Sequence, residues 1–98
     1  MVSAVPLQQS VHDNQALKRY EMALEGGVAF VNYQRSRAVI TLLHAEVPRE
    51  FEGRGVGSTL VRSVLEAVRA SGEKVVPQCS FIAAYMRRHL EFQDLLAD

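Results

Sequence analysis

Three glycines stand at alternate positions in the middle of the chain, at Gly53, Gly55 and Gly57, with Arg54 between the first two. Glycine lets the backbone approach an anion closely and adopt positive φ angles, so that several N–H groups can point at one phosphate. The residues before this turn predict a strand and those after it a helix, whose N-terminus attracts negative charge. Arg54 adds a permanent cation. The stretch therefore predicts a phosphate or pyrophosphate site.

Glycines at this spacing have other interpretations. Tight packing between a strand and a helix explains them without any ligand, and short motifs match by chance. A nucleotide P-loop is excluded, because no Gly-Lys-Ser or Gly-Lys-Thr follows. A dinucleotide fold needs paired βαβ halves, for which a chain of 98 residues is too short. Tight packing and a pyrophosphate of another kind both remain open on these residues alone.

Alternating apolar side chains predict the strands that lead into the turn. Three are expected, over residues 16–24, 28–34 and 39–47. The pair Asp13-Asn14 is typical of a turn, and residues 25–27 are typical of a hairpin connection. In the third strand the alternation places His44 and Glu46 on the same face as Ile40 and Leu42.

A helix over residues 55–71 is the strongest prediction after the turn. Its apolar residues recur at the spacing of one buried face: Val56, Leu60, Val61, Val64, Leu65 and Val68. Gly72 is suited to end this helix, and residues 74–77 predict a short strand. A strand, a helix and a second strand imply a right-handed parallel crossover. Ser80 is expected to cap a second helix that continues to about residue 88.

One domain with one core is the expectation for 98 residues, of which 48% are apolar. Eleven basic and eleven acidic residues cancel, so nucleic acid and anionic membranes are disfavoured as partners. We expect residues 1–10 to form a loose tail that lacks the features of a signal peptide. Cys79 is the single cysteine and cannot form an internal disulfide, which favours a reducing, cytoplasmic location.

The order of strand, strand, strand, glycine turn, helix, strand and helix resembles the core of the GNAT superfamily of N-acetyltransferases. In that superfamily the turn after the central strand reads Arg/Gln-x-x-Gly-x-Gly/Ala and binds the pyrophosphate of acetyl-CoA. Residues 52–57 align with it, except that Glu52 stands where Arg or Gln is usual. Because a carboxylate repels pyrophosphate, the resemblance leaves Arg54 to supply the positive charge.

The resemblance implies an α+β fold with a mostly antiparallel four-stranded sheet, one parallel crossover and two main helices, in the order βββαβα. It also implies acetyl-CoA as cosubstrate. The cofactor-binding residues that follow from it are Val47, Arg54, Gly55, Val56, Gly57, Ser58 and Thr59. No metal is expected, since His12, His44 and His89 lack a ligand-like spacing with Cys79.

A closer likeness, to the short stand-alone GNAT-like proteins, covers the chain almost end to end. It is carried by the segments HAEVP (44–48), EGRGVG (52–57), VVPQC (75–79), AAY (83–85), RRH (87–89) and DL (94–95). Ala45, Ser80 and Leu90 depart from the pattern, where Thr, Pro and Pro are usual. These short relatives lack the elements that complete the acceptor pocket of longer GNAT enzymes. The resemblance therefore implies an open acceptor site, or one completed by a partner protein or a dimer.

Four side chains are the catalytic residues that the resemblance implies. In GNAT enzymes a general base takes a proton from the attacking amine, and Glu46 and His44 lie near the expected cofactor. Cys79 precedes the second helix, where the helix N-terminus favours the thiolate, and in the resembled branch this cysteine is considered an acyl acceptor. Tyr85 matches the tyrosine that protonates the departing CoA thiolate.

Each candidate also has a structural interpretation. Glu46 fits an exposed carboxylate, His44 and Tyr85 fit packing side chains, and Cys79 fits a small buried residue. The basic group at residues 87–89 complements a helix dipole. The leading functional prediction is acetyl transfer from acetyl-CoA to an amine of unspecified identity. The alternative is a CoA-binding or protein-interaction module without turnover.

Overall fold

In the computed structural model, which describes residues 10–97, five strands form one sheet. They are β1 (His12–Asn14), β2 (Arg19–Leu24), β3 (Gly27–Ser36), β4 (Val39–Glu46) and β5 (Lys74–Pro77). The strands lie side by side in chain order, and neighbours are antiparallel except β4 and β5, which are parallel. Residues 1–9 of the predicted tail lie outside the described range.

Two helices pack on one face of this sheet, α1 (Val56–Ser71) between β4 and β5, and α2 (Ser80–Arg88) after β5. Short 3₁₀ segments follow β4 (Arg49–Phe51) and α2 (Leu90–Leu95). The six apolar residues predicted to form the buried face of α1 are all buried, which confirms the helical spacing. Within residues 10–97, no helix is both long and apolar enough to cross a membrane.

The start of the sheet differs from the prediction. Asp13 and Asn14 belong to strand β1, and the turn lies after them, at residues 15–18, so β2 begins at Arg19. The side chain of Asn14 explains the shift, because its Oδ1 accepts the N–H of Leu17 and thereby closes the turn that follows it. The described sheet therefore has five strands, one more than the sequence predicts.

Strand β4 contains an irregularity that the alternation pattern does not reveal. Leu42 pairs with Tyr33 and His44 pairs with Asn32, so Leu43 is an extra residue without a partner in β3. Such a β-bulge reverses the faces of all later side chains in the strand. The prediction that His44 and Glu46 share a face with Ile40 and Leu42 is therefore wrong.

The helices cover the face that carries the core side chains of the strands. Those on β2 and β3 are Tyr20, Met22, Ala29, Val31 and Tyr33, and all are buried. The alternate side chains of these strands, from Arg19 to Gln34, are half-buried or exposed. We call this second side of the sheet the open face. The guanidinium of Arg19 lies 4.3 Å from the ring centre of Phe30 on it.

Candidate functional site

The glycines of the turn serve two different structural purposes. Gly53 and Gly55 have φ angles of 81° and 78°, which disfavour any residue with a side chain. Gly55 is also the N-cap of α1. Gly57 lies inside the helix, and there the space is limited, because a Cβ atom would lie 3.1 Å from Cζ of Phe81. Two of the glycines thus shape the turn, and the third admits a close neighbour.

The first turn of α1 presents backbone donors to this region. The N–H groups of Val56, Gly57 and Ser58 precede the first intrahelical hydrogen bond, and no side chain caps them. The N–H and the hydroxyl of Thr59 both donate to the carbonyl of Gly55, at 3.1 and 3.0 Å. Because the first turn contains no acidic residue, its partial positive charge is uncompensated from within the helix.

A cavity of about 450 Å³ opens in front of these donors. Its lining includes residues of the turn and of the first turn of α1, which are Gly53, Gly55, Val56, Gly57 and Ser58. It also includes the apolar residues Ala45, Val47, Phe51 and Phe81. Glu52 is the one charged residue of the lining. The arrangement offers hydrogen-bond donors for an anion next to a surface suited to an uncharged, aliphatic group.

The cavity brings together five of the seven predicted cofactor-binding residues: Val47, Gly55, Val56, Gly57 and Ser58. Arg54 is exposed and Thr59 half-buried, and neither belongs to the lining. Sequence reasoning missed Phe81, which it assigned only to the second helix. A signal was present, since Phe81 falls outside the buried stripe of that helix, which is Ile82, Tyr85 and Met86.

The candidate bases lie on the other side of β4. His44 Nε2 and Glu46 Oε1 are 2.9 Å apart, and the side chains are 58% and 57% exposed. Glu46 pairs with Phe30, a residue of the open face, whereas Ala45 between them pairs with Val31 of the core face and lines the cavity. Because of the bulge at Leu43, the side chains of His44 and Glu46 lie on the face of the sheet opposite to the cavity.

Strands β4 and β5 part next to the cavity. Their pairing ends at Leu42 and Pro77, while β4 continues for four more residues alongside β3 alone. The N–H groups of Gln78 and Cys79 both donate to the carbonyl of Leu42, at 3.0 and 3.1 Å, and turn the chain into α2. The divergence gives an extended group a path between the cavity side and the open face.

Cys79 and Tyr85 occupy different surroundings in α2. Cys79, and not Ser80 as predicted, is the N-cap of the helix, since its extended backbone delivers the carbonyl that accepts the N–H of Ala83. The Cys79 side chain is half-buried against the core and is not part of the cavity lining. Tyr85 is 2% exposed, stacks on His89 with ring centres 3.9 Å apart, and lies outside the lining. Burial raises its pKa.

Comparisons with known proteins complete this description. A family model described as GCN5-related N-acetyl-transferase matches residues 19–95, from the start of β2 to the end of the last 3₁₀ segment. No curated protein matches the sequence. The solution NMR structure of a GCN5-like protein from Staphylococcus aureus has a TM-score of 0.68 and 21% identity, over 94% of this chain and 91% of that one. The likeness confirms the predicted α+β fold class.

Proposed function

The chain belongs to the GCN5-related N-acetyltransferase family, and we propose that it binds acetyl-CoA at the glycine turn and transfers the acetyl group to an amine. The observation that supports this most is the cavity beside the turn. It combines the backbone donors of Val56, Gly57 and Ser58 with an apolar wall. Few ligands need both hydrogen-bond donors for an anion and an adjacent apolar surface, whereas CoA carries a pyrophosphate joined to an uncharged chain.

The residues of the cavity fit this donor with one exception. The N–H groups at the start of α1 suit the pyrophosphate, because they are uncapped and carry the positive end of the helix dipole. Glu52 is the exception, since it belongs to the lining and a carboxylate repels a phosphate. Arg54 is the neighbouring cation and is exposed, so its long side chain is free to approach the ligand from solvent.

The acceptor amine approaches from the open face in this proposal. Glu46, with His44 hydrogen-bonded to it, is the group that takes the proton from the amine. The divergence of β4 and β5 supports this arrangement, because it allows the thioester end of the donor to reach the face where Glu46 lies. The acetyl group then passes to the amine nitrogen, CoA leaves as the thiolate, and the amine proton is held at Glu46.

Two measurements test the proposal. Calorimetric titration with acetyl-CoA should show binding with one site per chain, and no binding would overturn it. Release of the CoA thiol is then followed with a panel of amines: a polyamine, amino-acid esters and a lysine-containing peptide. Release that depends on the amine is the expected result. Binding without release from any amine would instead favour the CoA-binding module that lacks turnover.

A further inference from the structure

We infer that the acceptor is an amine that also carries a carboxylate, and that a second cavity on the sheet holds this carboxylate through Lys18. The inference rests on the proposed function, since it names the class of amine that reaches Glu46. The second cavity also measures about 450 Å³ and shares no lining residue with the cavity at the glycine turn. It lies where the turn at residues 15–18 meets the end of β3 and the start of β4.

The lining of this second cavity is polar and positively charged. Within residues 10–97 it consists of Gln15, Lys18, Tyr33, Gln34, Arg35, Ser36 and Thr41. Lys18 and Arg35 are the charged residues among these, and none of the seven is acidic. Glutamine amides and the hydroxyls of Ser36 and Thr41 can donate hydrogen bonds to an anion. The composition therefore suits a negatively charged group.

Lys18 is the cation of this cavity that is available to a ligand. The guanidinium of Arg35 lies 3.0 Å from the carboxylate of Asp13 and 2.8 Å from that of Glu73, so two carboxylates already balance its charge. The ammonium of Lys18 forms no ion pair or hydrogen bond with any residue in the range 10–97. One unpaired positive charge matches a carboxylate, which carries one negative charge, better than a phosphate monoester, which carries nearly two.

The backbone fixes the position of Lys18. Its φ angle is 54°, in the left-handed region that residues with a side chain adopt rarely. Its N–H donates to the carbonyl of Gln15 at 3.2 Å, and its carbonyl accepts the N–H of Tyr33 at 3.0 Å. Asn14 Oδ1 accepts the N–H of Leu17 and closes the same turn. A lysine thus stands where glycine or asparagine would fold more easily, which indicates a use for its ammonium group.

The open face connects this cavity to Glu46. Gln34 and Thr41 of the lining pair with each other across β3 and β4, and Glu46 pairs with Phe30 further along the same two strands. Gln34 and Phe30 both belong to the open face and are four residues apart, so the two pairs lie about 13 Å from each other. The helices cover the other face. An extended acceptor of similar length can therefore contact both places at once.

The charges of the open face match such an acceptor. Glu46 is negative and its side chain is 57% exposed, while Lys18 supplies a positive charge at the second cavity. Arg19 and Glu21 on β2 lie 2.6 Å apart and cancel each other. An ammonium group is attracted to Glu46 and a carboxylate to Lys18, so an amine that carries a carboxylate binds in one direction. A diamine is repelled at Lys18.

Acceptors that differ only at the far end test the inference: 8-aminooctanoate, octylamine and 1,8-diaminooctane. With saturating acetyl-CoA, kcat/KM of the wild type should be about threefold to tenfold higher for 8-aminooctanoate than for octylamine, and lowest for the diamine. Lys18→Met should remove this preference by raising KM for 8-aminooctanoate with unchanged kcat, because the contact is the same in the ground and transition states. Lys18→Arg should keep the preference, and Lys18→Glu should make the diamine the best acceptor.

A charge removed elsewhere provides the control. Arg88→Met takes a cation from helix α2, which packs on the opposite face of the sheet, and should leave the order of the three acceptors unchanged. Equal kcat/KM for the three acceptors in the wild type, or the same order in Lys18→Met, would overturn the inference and leave the proposed function standing.

Amide NMR spectra give a second readout that needs no turnover. In the presence of CoA, 8-aminooctanoate should shift the signals of Lys18, Gln34 and Thr41 in the wild type, and should not shift those of Gln34 and Thr41 in Lys18→Met. A wild type without these shifts would overturn the inference whatever the rates are. A protein that does not bind CoA would overturn the proposed function, and the inference with it.

Discussion

At the scale of single residues, the pair of His44 and Glu46 is the most exposed of the candidate catalytic groups. Their hydrogen bond of 2.9 Å joins a carboxylate and an imidazole on the open face, where an amine could reach them without displacing any helix. In the proposed mechanism Glu46 accepts the proton of the amine while His44 orients its carboxylate. We therefore expect that a substitution at Glu46 lowers the rate of acetyl transfer without changing the affinity for the donor.

Replacing the carboxylate tests this role. Glu46→Gln keeps the size of the side chain and removes its proton affinity, so we expect turnover to fall by about 10² to 10⁴ with unchanged acetyl-CoA affinity. Glu21→Gln is the matched control, because Glu21 lies on the same face and both pair with Phe30. Steady-state rates and calorimetry provide the two measurements. Full activity of Glu46→Gln across the pH range would assign Glu46 a structural role.

Cys79 carries a separate prediction at this scale. We expect its thiolate to attack the thioester carbon, forming a new thioester on the protein and releasing CoA as the thiolate, because the residue is the N-cap of α2 and stands two positions before Phe81, which lines the cavity. Incubation with acetyl-CoA should then add one acetyl group at Cys79, which hydroxylamine removes. Intact-mass spectrometry measures this, with Cys79→Ser as the control. Direct attack by the amine predicts no such adduct and full activity in Cys79→Ala.

At the scale of elements, helix α1 has a glycine with left-handed backbone at each end. Gly55 is the N-cap at the cavity, with φ of 78°, and Gly72 ends the helix with φ of 81°. A Cβ atom would meet nothing within 4 Å at either position, so the cost of a side chain is mainly backbone strain. The two ends therefore form a matched pair, of which one lies at the proposed ligand site.

Replacing each of these two glycines with valine distinguishes the effect of backbone strain on stability from an effect on ligand binding. Gly55→Val and Gly72→Val should each lower the free energy of unfolding by about 1 to 3 kcal/mol. Only Gly55→Val should abolish CoA binding, because its side chain would enter the space in front of the free N–H groups. Urea unfolding and calorimetric titration are the measurements. Unchanged affinity in a folded Gly55→Val protein would remove the turn from the donor site.

The two elements around the turn differ in how well their sequences predict them. Helix α1 follows its pattern because one apolar stripe at a spacing of three and four residues fixes which side is buried. Strand β4 does not, because the extra residue at Leu43 reverses the pattern halfway along, and Leu43 itself is apolar and continues the run. The position of the bulge depends on how the residues of β4 pair with those of β3. The alternation of apolar residues within β4 alone does not contain this pairing.

The glycine turn is a local feature of the sequence, and the resemblance that it carries implies four of the residues that line the cavity: Gly55, Val56, Gly57 and Ser58. Phe81 is 24 positions beyond Gly57, and their contact depends on how α2 packs against α1, which no local pattern encodes. The wrong prediction of a turn at Asn14 has a similar cause. The Asn14 side chain accepts the N–H of Leu17, which closes the turn after it, and donates to Glu21 of β2, so Asn14 itself belongs to the sheet.

At the scale of the whole molecule, one polar network joins the first strand of the sheet to the far end of α1. Arg35, near the end of β3, donates to Asp13 of β1 at 3.0 Å and to Glu73, between α1 and β5, at 2.8 Å. Its guanidinium also donates to the hydroxyls of Tyr20 and Tyr33, each at 3.0 Å. The network lies away from the proposed donor site, so it should affect stability without affecting CoA binding.

The hydroxyl of Tyr33 makes this network sensitive to alkaline pH. It donates to Asp13, and burial together with this carboxylate raises the pKa of Tyr33 from 10.0 to about 12. The folded state therefore holds the proton more tightly than the unfolded state. The associated stability is complete below pH 10 and is lost as the pH rises from 10 to 12.

Unfolding in urea at pH 8 to 11.5 should thus show a falling free energy above pH 10, and Tyr33→Phe should flatten this fall because the titrating group is gone. Tyr20→Phe is the control, since burial also raises the pKa of Tyr20 but its hydroxyl accepts from Arg35 and does not donate to Asp13. We expect it to remove less of the alkaline loss. Equal slopes for the wild type and Tyr33→Phe would show that this hydroxyl does not couple folding to pH, and that the network stabilises the fold through Arg35 and its two carboxylates alone.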